Sequence, residues 1–239
     1  MDLFTGSVYR GEGRRSLYRN LDFIPVLVPA GTVIPMAADY TNSCIENPGE
    51  LEVLVVHGAD GSFSLYEDDC SETTDMDPVI TKFEYKIGET SIFTMEREED
   101  TRGVIPEERI YRVMIRGVGE EAAYHVICMG DTGAGMQEIQ TDISYDRELC
   151  ELSVRVTEKE LKRFTIQLSG MTDKLTQPDP LVKIRKILQN AQISYDIKEN
   201  ILRVLEKESD NSRIFASLHE LRLTNVLFGT ILEALTSNH

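Results

Sequence analysis

The sequence predicts a mainly β protein, an antiparallel β-sandwich with a C-terminal α-helical appendage, on three observations. Short apolar runs recur from Leu51 to Leu168 with turn residues between them. After Gln177 the apolar spacing changes to threes and fours, the period of an amphipathic helix. The 239 residues, 41% of them hydrophobic, suffice for one large domain or two ordinary ones plus an appendage.

From Met1 to Pro35 the chain reads as extended pieces broken by turns: Ser7 to Arg10, the Gly11-Glu12-Gly13 turn, then Phe23 to Val28. Pro25, Pro29 and Pro35 forbid a continuous helix and fit only the edge of a sheet, since each removes a ladder donor. Asn42, Ser43, Asn47, Pro48 and Gly49 form a turn-rich linker, which places a domain boundary at residues 40 to 50. Leu51 to His57 then reads as a strand, and Asp60-Gly61 as a hairpin turn into the return strand Ser62 to Tyr66. In that return strand Ser62, Ser64 and Tyr66 share one face, and Phe63 and Leu65 the other. Further strands are expected at 80–85, 91–95, 109–115, 124–128, 152–156 and 163–168, a spacing that suits a sandwich.

Asp179-Pro180 is a helix N-cap with proline at the first helical position, and Leu181, Ile184, Leu188 and Ala191 follow at helical spacing. Ser194 is placed to cap a second helix carrying Ile197, Ile201, Val204 and Leu205. Ile214, Leu218, Leu221, Leu227, Ile231 and Leu235 continue the period. These stripes are expected to pack within the molecule, with a homodimer through the tail as the competing use.

Composition excludes several classes. The net charge of −16 argues against nucleic acid, whose phosphates need a concentrated basic face. The excess is local: residues 36 to 110 hold nineteen acidic and five basic side chains, whereas residues 171 to 239 hold nine of each. No apolar run reaches the length of about eighteen residues that a membrane span needs, and the N-terminus lacks a signal-peptide pattern, so a cytoplasmic location is expected. Cys44, Cys70, Cys128 and Cys150 form no C-x-x-C pair and have no histidine at ligand spacing, so they are expected to be reduced thiols.

Two ordered stretches carry a family signal. The first is Asp2-Leu3-Phe4-Thr5-Gly6-x-Val8-Tyr9-x-Gly11, followed by Ile24-Pro25-Val26-Leu27-Val28-x-Ala30-Gly31-x-x-Ile34-Pro35. The second is Asn47-Pro48-x-Glu50-Leu51, followed by Gly58-Ala59-Asp60-Gly61-Ser62-Phe63-x-Leu65-Tyr66-Glu67-Asp68-Asp69. The first resembles the segment just after the catalytic barrel in glycoside hydrolase family 31, and the second resembles the opening of that family's distal C-terminal β domain. The resemblance covers about the first seventy residues and implies residues 1–39 as the incomplete end of the proximal C-terminal β domain and 40–170 as the distal β-sandwich; residues 178–239, the helical appendage read from periodicity, lie outside it. It also implies a parent enzyme of α-glucosidase or α-xylosidase type that hydrolyses α-glycosidic bonds by a retaining mechanism. Family members carry a Trp-Tyr pair just before the D-x-x-T-G turn; this chain starts at Met1 and has no tryptophan, which reads as a fragment.

Glycoside hydrolysis needs two carboxyl groups facing each other across the sugar. In the resembled family both belong to the barrel, and no position here matches either motif. No catalytic residue and no cofactor are therefore assigned, and the chain alone is expected to be inactive. Glu67, Asp68 and Asp69 are the candidate metal residues, with calcium as the ion, because adjacent carboxylates supply the oxygen ligands it prefers. A solvated loop is the competing reading, and Cys70 stands where the family usually has glycine. His57 and His125 read as ordinary strand residues. Gly130 to Gly135 lacks the Lys-Ser/Thr of a phosphate loop and reads as a hairpin connection. The expected role is a non-catalytic accessory region bracing its partner, the parent enzyme's catalytic (β/α)8 barrel; the alternative is an independent carbohydrate-binding or protein-interaction module.

Overall fold

In the computed structural model, which describes residues 1–11, 13–39, 47–69, 77–120, 126–131, 135–157, 161–170, 175–208 and 210–237, eleven strands are followed by four helices. The strands are β1 (Val33–Ala37), β2 (Glu50–Val56), β3 (Gly61–Glu67), β4 (Val79–Lys86), β5 (Thr90–Arg97), β6 (Ile110–Arg116), β7 (Val126–Asp131), β8 (Met136–Glu138), β9 (Asp142–Asp146), β10 (Glu151–Val156) and β11 (Arg163–Ser169). They form a five-stranded sheet in the order β1-β2-β6-β10-β9 and a six-stranded sheet in the order β3-β4-β5-β11-β7-β8, so β2 and β3 lie in different sheets and the turn at Asp60-Gly61 passes from one sheet to the other instead of closing the expected hairpin. Pairing is antiparallel except between β2 and β6, which run parallel with Val53 opposite Val113. The predicted antiparallel sandwich therefore holds apart from that one pair.

One core joins the sheets. Alternation in β4 buries Val79, Thr81, Phe83 and Tyr85 and exposes Lys82, Glu84 and Lys86. Phe83, Phe93, Met95, Phe164 and Ile166 from the six-stranded sheet meet Val53, Val55, Tyr111, Val113 and Leu152 from the five-stranded one. Tyr111 and Phe164 touch across the gap, with ring centroids 5.4 Å apart. On the other side of the five-stranded sheet, cross-strand ion pairs replace apolar contacts: Arg112 with Glu52 at 2.6 Å and Arg155 with Glu50 at 3.1 Å.

The boundary expected at residues 40 to 50 does not separate two domains. β1 lies before it, yet pairs with β2 over five residues, Val33 opposite Val55 to Ala37 opposite Leu51. Pro35 sits within β1 and does not end it, which an edge strand tolerates because one of its sides has no ladder to fill. By contact density the chain divides instead into residues 28–176, the sandwich, and a second unit made of residues 1–27 with 177–239. Linker residues Asn42 and Ser43 lie outside the described residues.

In the second unit the helices are α1 (Pro180–Asn190), α2 (Tyr195–Lys207), α3 (Asn211–Glu220) and α4 (Asn225–Thr236). Asp179 caps α1 as expected, its Oδ1 accepting from Leu181 N at 2.9 Å. Ser194 occupies the N-cap of α2 without a side-chain bond to the helix. Ile184, Leu188, Ile201, Leu205, Ile214, Leu218 and Ile231 form a core of their own, so the stripes pack on one another. Among the described residues before residue 28 the expected extended pieces are not strands; the pairing is a single bridge between Asp2 and Leu27.

Candidate functional site

The acidic residues at the end of β3 are placed apart in burial. Glu67 is the last residue of β3 and its side chain turns inward, where Arg109 grips it at both ends: Nη1 donates to Oε2 at 2.7 Å and Nη2 to Oε1 at 2.8 Å. Asp68 and Asp69 are exposed, because alternation and the strand end carry them away from Glu67. Among the described residues no group of three His, Cys, Asp or Glu side chains is placed to hold a metal ion. Arg109 also donates from Nε to Pro48 O at 2.9 Å, and Asn47 Nδ2 donates to Asp68 O at 2.9 Å. The Asn47-Pro48 and Glu67-Asp68 ends of the second motif are thereby fastened together around one guanidinium.

Motif glycines meet in the same unit. A Cβ on Gly61 would stand 1.6 Å from Gly31 O, and one on Gly31 would stand 2.3 Å from Asp60 O, so the two backbones are in direct contact and only glycine fits. Nearby, His57 is buried and its Nδ1 shares a hydrogen bond of 2.7 Å with Tyr85 Oη. Burial pushes the Tyr85 hydroxyl up to about 12. His57 is therefore a satisfied interior group. His125, Cys44 and Cys70 lie outside the described residues, and Cys128 and Cys150 are free and buried. The glycine-rich stretch joins two antiparallel strands, with Asp131 of β7 opposite Met136 of β8, as a hairpin does; its residues 132–134 lie outside the described residues.

The unit containing the helices holds a charged cluster that sequence reading did not assemble. Asp2 Oδ1 accepts from Phe4 N at 3.0 Å and Thr5 N at 2.9 Å, closing the D-x-x-T-G turn. Its Oδ2 pairs with Arg19 Nη2 at 2.6 Å, and Arg19 Nη1 pairs with Glu233 of α4 at 2.8 Å. Glu233 also accepts from Tyr9 Oη at 2.5 Å and from Tyr18 N at 2.7 Å. Burial works to raise the Asp2 carboxyl, but its bonds from Arg19, Thr5 and Phe4 outweigh it and hold the group below its usual range. Burial and the Glu233 carboxylate push the Tyr9 hydroxyl up to about 12.

Beside this cluster lies a cavity of about 520 Å³, walled by the N-terminal segment, α1 and α4. Lys183 of α1 reaches into the same region and donates to Ser7 Oγ. Burial pulls its ammonium below the usual lysine value. Tyr18 packs against α4, where a Cβ on Gly229 would come 2.2 Å from its Oη, so glycine in that helix allows the close approach. These contacts span from 17 residues, Asp2 to Arg19, to 224, Tyr9 to Glu233, so no local pattern could reveal them.

No family model matches the sequence. Solved structures do share its fold. A GH31 dextranase of Flavobacterium johnsoniae, solved with isomaltotriose, matches at 20% identity and a TM-score of 0.53, over 68% of this chain and 22% of the dextranase. The uncharacterized protein lmo2446 of Listeria monocytogenes EGD-e, in complex with glucose, magnesium and calcium, matches at 20% identity and a TM-score of 0.51 over 72% of this chain and 16% of its own. An ER glucosidase II heterodimeric complex matches at 13% identity and a TM-score of 0.52, over 70% of this chain and 20% of the matched one. The chain thus spans about a fifth of the length of these proteins. Its fold is that of a part of a glycoside hydrolase family 31 enzyme, the family that its two N-terminal motifs resemble.

Proposed function

We propose that the chain is a non-catalytic C-terminal accessory region of a glycoside hydrolase family 31 enzyme, bracing the (β/α)8 barrel of a parent that hydrolyses α-glycosidic bonds. The observation that carries this reading is the use to which the motif residues are put. Asp2, Gly31, Gly61 and Glu67 are each consumed in turns, backbone contact or a buried ion pair, and none is left to meet a substrate. A shared fold over about a fifth of much larger enzymes supports a part whose chemistry resides elsewhere.

An independent carbohydrate-binding module is the second reading, and in the sandwich it would draw on the exposed aromatics of β3. Tyr66 is 64% exposed and Phe63 41%. They stand three residues apart on one strand, which directs them to opposite faces, so they do not form a single platform for a sugar ring. The two readings separate with the purified chain. The accessory reading expects no release of nitrophenol from p-nitrophenyl α-glucoside and no saturable binding of malto-oligosaccharides. Turnover would contradict it, and sugar binding without turnover would favour the module.

A further inference from the structure

In a protein of net charge −16, the cavity walled by the N-terminal segment, α1 and α4 is locally basic: Arg19, Lys183 and Lys186 line it against one carboxylate, Glu233. That carboxylate is already met by Tyr9 Oη, Tyr18 N and Arg19, and Arg19 is divided between Glu233 and Asp2. Lys183 is different. Its Nζ is bonded to the hydroxyl of Ser7, and Glu233 and Asp2 act on it from a distance without forming an ion pair with it. A desolvated ammonium with one neutral partner gains from an anionic oxygen brought to it from solution.

Part of the remaining wall is apolar and exposed. Phe4 and Phe23 lean together with centroids 5.7 Å apart, and they are 47% and 50% exposed; Val226, at the start of α4, is 67% exposed. Large apolar side chains at this exposure around a concave, cation-bearing site are what a ligand with a charged head and an apolar body covers. The volume of about 520 Å³ lies within the range of small-molecule sites. We propose that this cavity binds a small organic carboxylate with an apolar body, its head group paired with Lys183 and its body lying against Phe4, Phe23 and Val226. This site is independent of the accessory role and needs no barrel.

Isothermal titration of the full chain with octanoate and with octanol, which shares the chain length without the charge, tests the proposal. Octanoate is expected to bind saturably at one per chain and at least about tenfold more tightly than octanol, the increment of one charged hydrogen bond. Lys183→Met should bring octanoate to the octanol level and leave octanol unchanged. Val226→Trp, at an exposed helix position, should fill the mouth and weaken both. Far-UV circular dichroism of each variant reports whether it is folded, and if Lys183→Met is not, the octanoate-to-octanol ratio and Val226→Trp carry the decision. Equal affinities for the two probes, absence of saturation, or octanoate binding untouched in a folded variant would overturn the proposal.

Discussion

Arg109 and Glu67 are among the most buried charged side chains of the sandwich, at 4% and 5% exposure, and each satisfies the other. Arg109→Met leaves Glu67 buried without a counter-ion and is expected to cost about 3–5 kcal/mol in urea unfolding followed by tyrosine fluorescence. Replacing both residues with apolar ones should recover much of that loss, because the pair also carries the desolvation of two charges. Gly61→Ala places a methyl group inside the Gly31 carbonyl, so the backbones must part; a lower melting temperature than that of Gly49→Ala, where the space is open, checks this. Both glycines were visible as motif residues, but their mutual contact was not.

Asp2 sets a pH dependence at the same scale. In the unfolded chain its carboxyl takes up a proton near its ordinary value of 3.8, whereas the folded carboxyl holds out to lower pH. Between those values the unfolded state binds more protons, so the stabilisation is present above 3.8 and is lost as pH falls through the folded value. The urea midpoint of the helical signal at 222 nm should drop on going from pH 5 to pH 3, and the drop should be smaller in Asp2→Asn. An equal drop in both proteins would remove Asp2 as a source.

Among the elements, those with strong periodicity were legible and the weak ones were not. Strands were expected at 80–85 and 91–95, and β4 and β5 run from Val79 to Lys86 and Thr90 to Arg97, since alternating apolar residues bury one face. β8 and β9 escaped detection: Met136, Gln137 and Glu138 are all exposed, and Asp142–Asp146 buries no side chain fully, so neither leaves an apolar pattern. β1 was obscured by Pro35, whose presence argues against a strand unless it lies at an edge. The first two helices and a helical period beyond them were legible from their stripes and from Asp179, but the break into α3 and α4 and the partner of the stripes were not, because periodicity gives a face and not what covers it. Asp179→Ala is expected to cost about 1 kcal/mol by loss of the bond to Leu181 N, read in thermal unfolding at 222 nm.

Across the whole molecule, the motifs that point to a family are the parts that hold the fold together, and the charged cluster and cavity join motif residues such as Asp2, Phe4 and Tyr9 to residues outside any motif, such as Arg19, Lys183 and Glu233. Asp2 belongs to both, as turn-former and as partner of Arg19. The acidic excess of residues 36 to 110 falls in the sandwich, partly as exposed alternate positions such as Glu84 and Glu96 on the outer face of the six-stranded sheet. Among the described residues no helix is long and apolar enough to cross a membrane. The accessory role is tested most directly by recovering the native polypeptide from its source with an antibody to the helical unit and identifying its peptides by mass spectrometry. Peptides of a family 31 catalytic barrel, in the same polypeptide or in a stable complex with it, are the expected result. A native chain of 27.0 kDa recovered with no barrel would contradict the account.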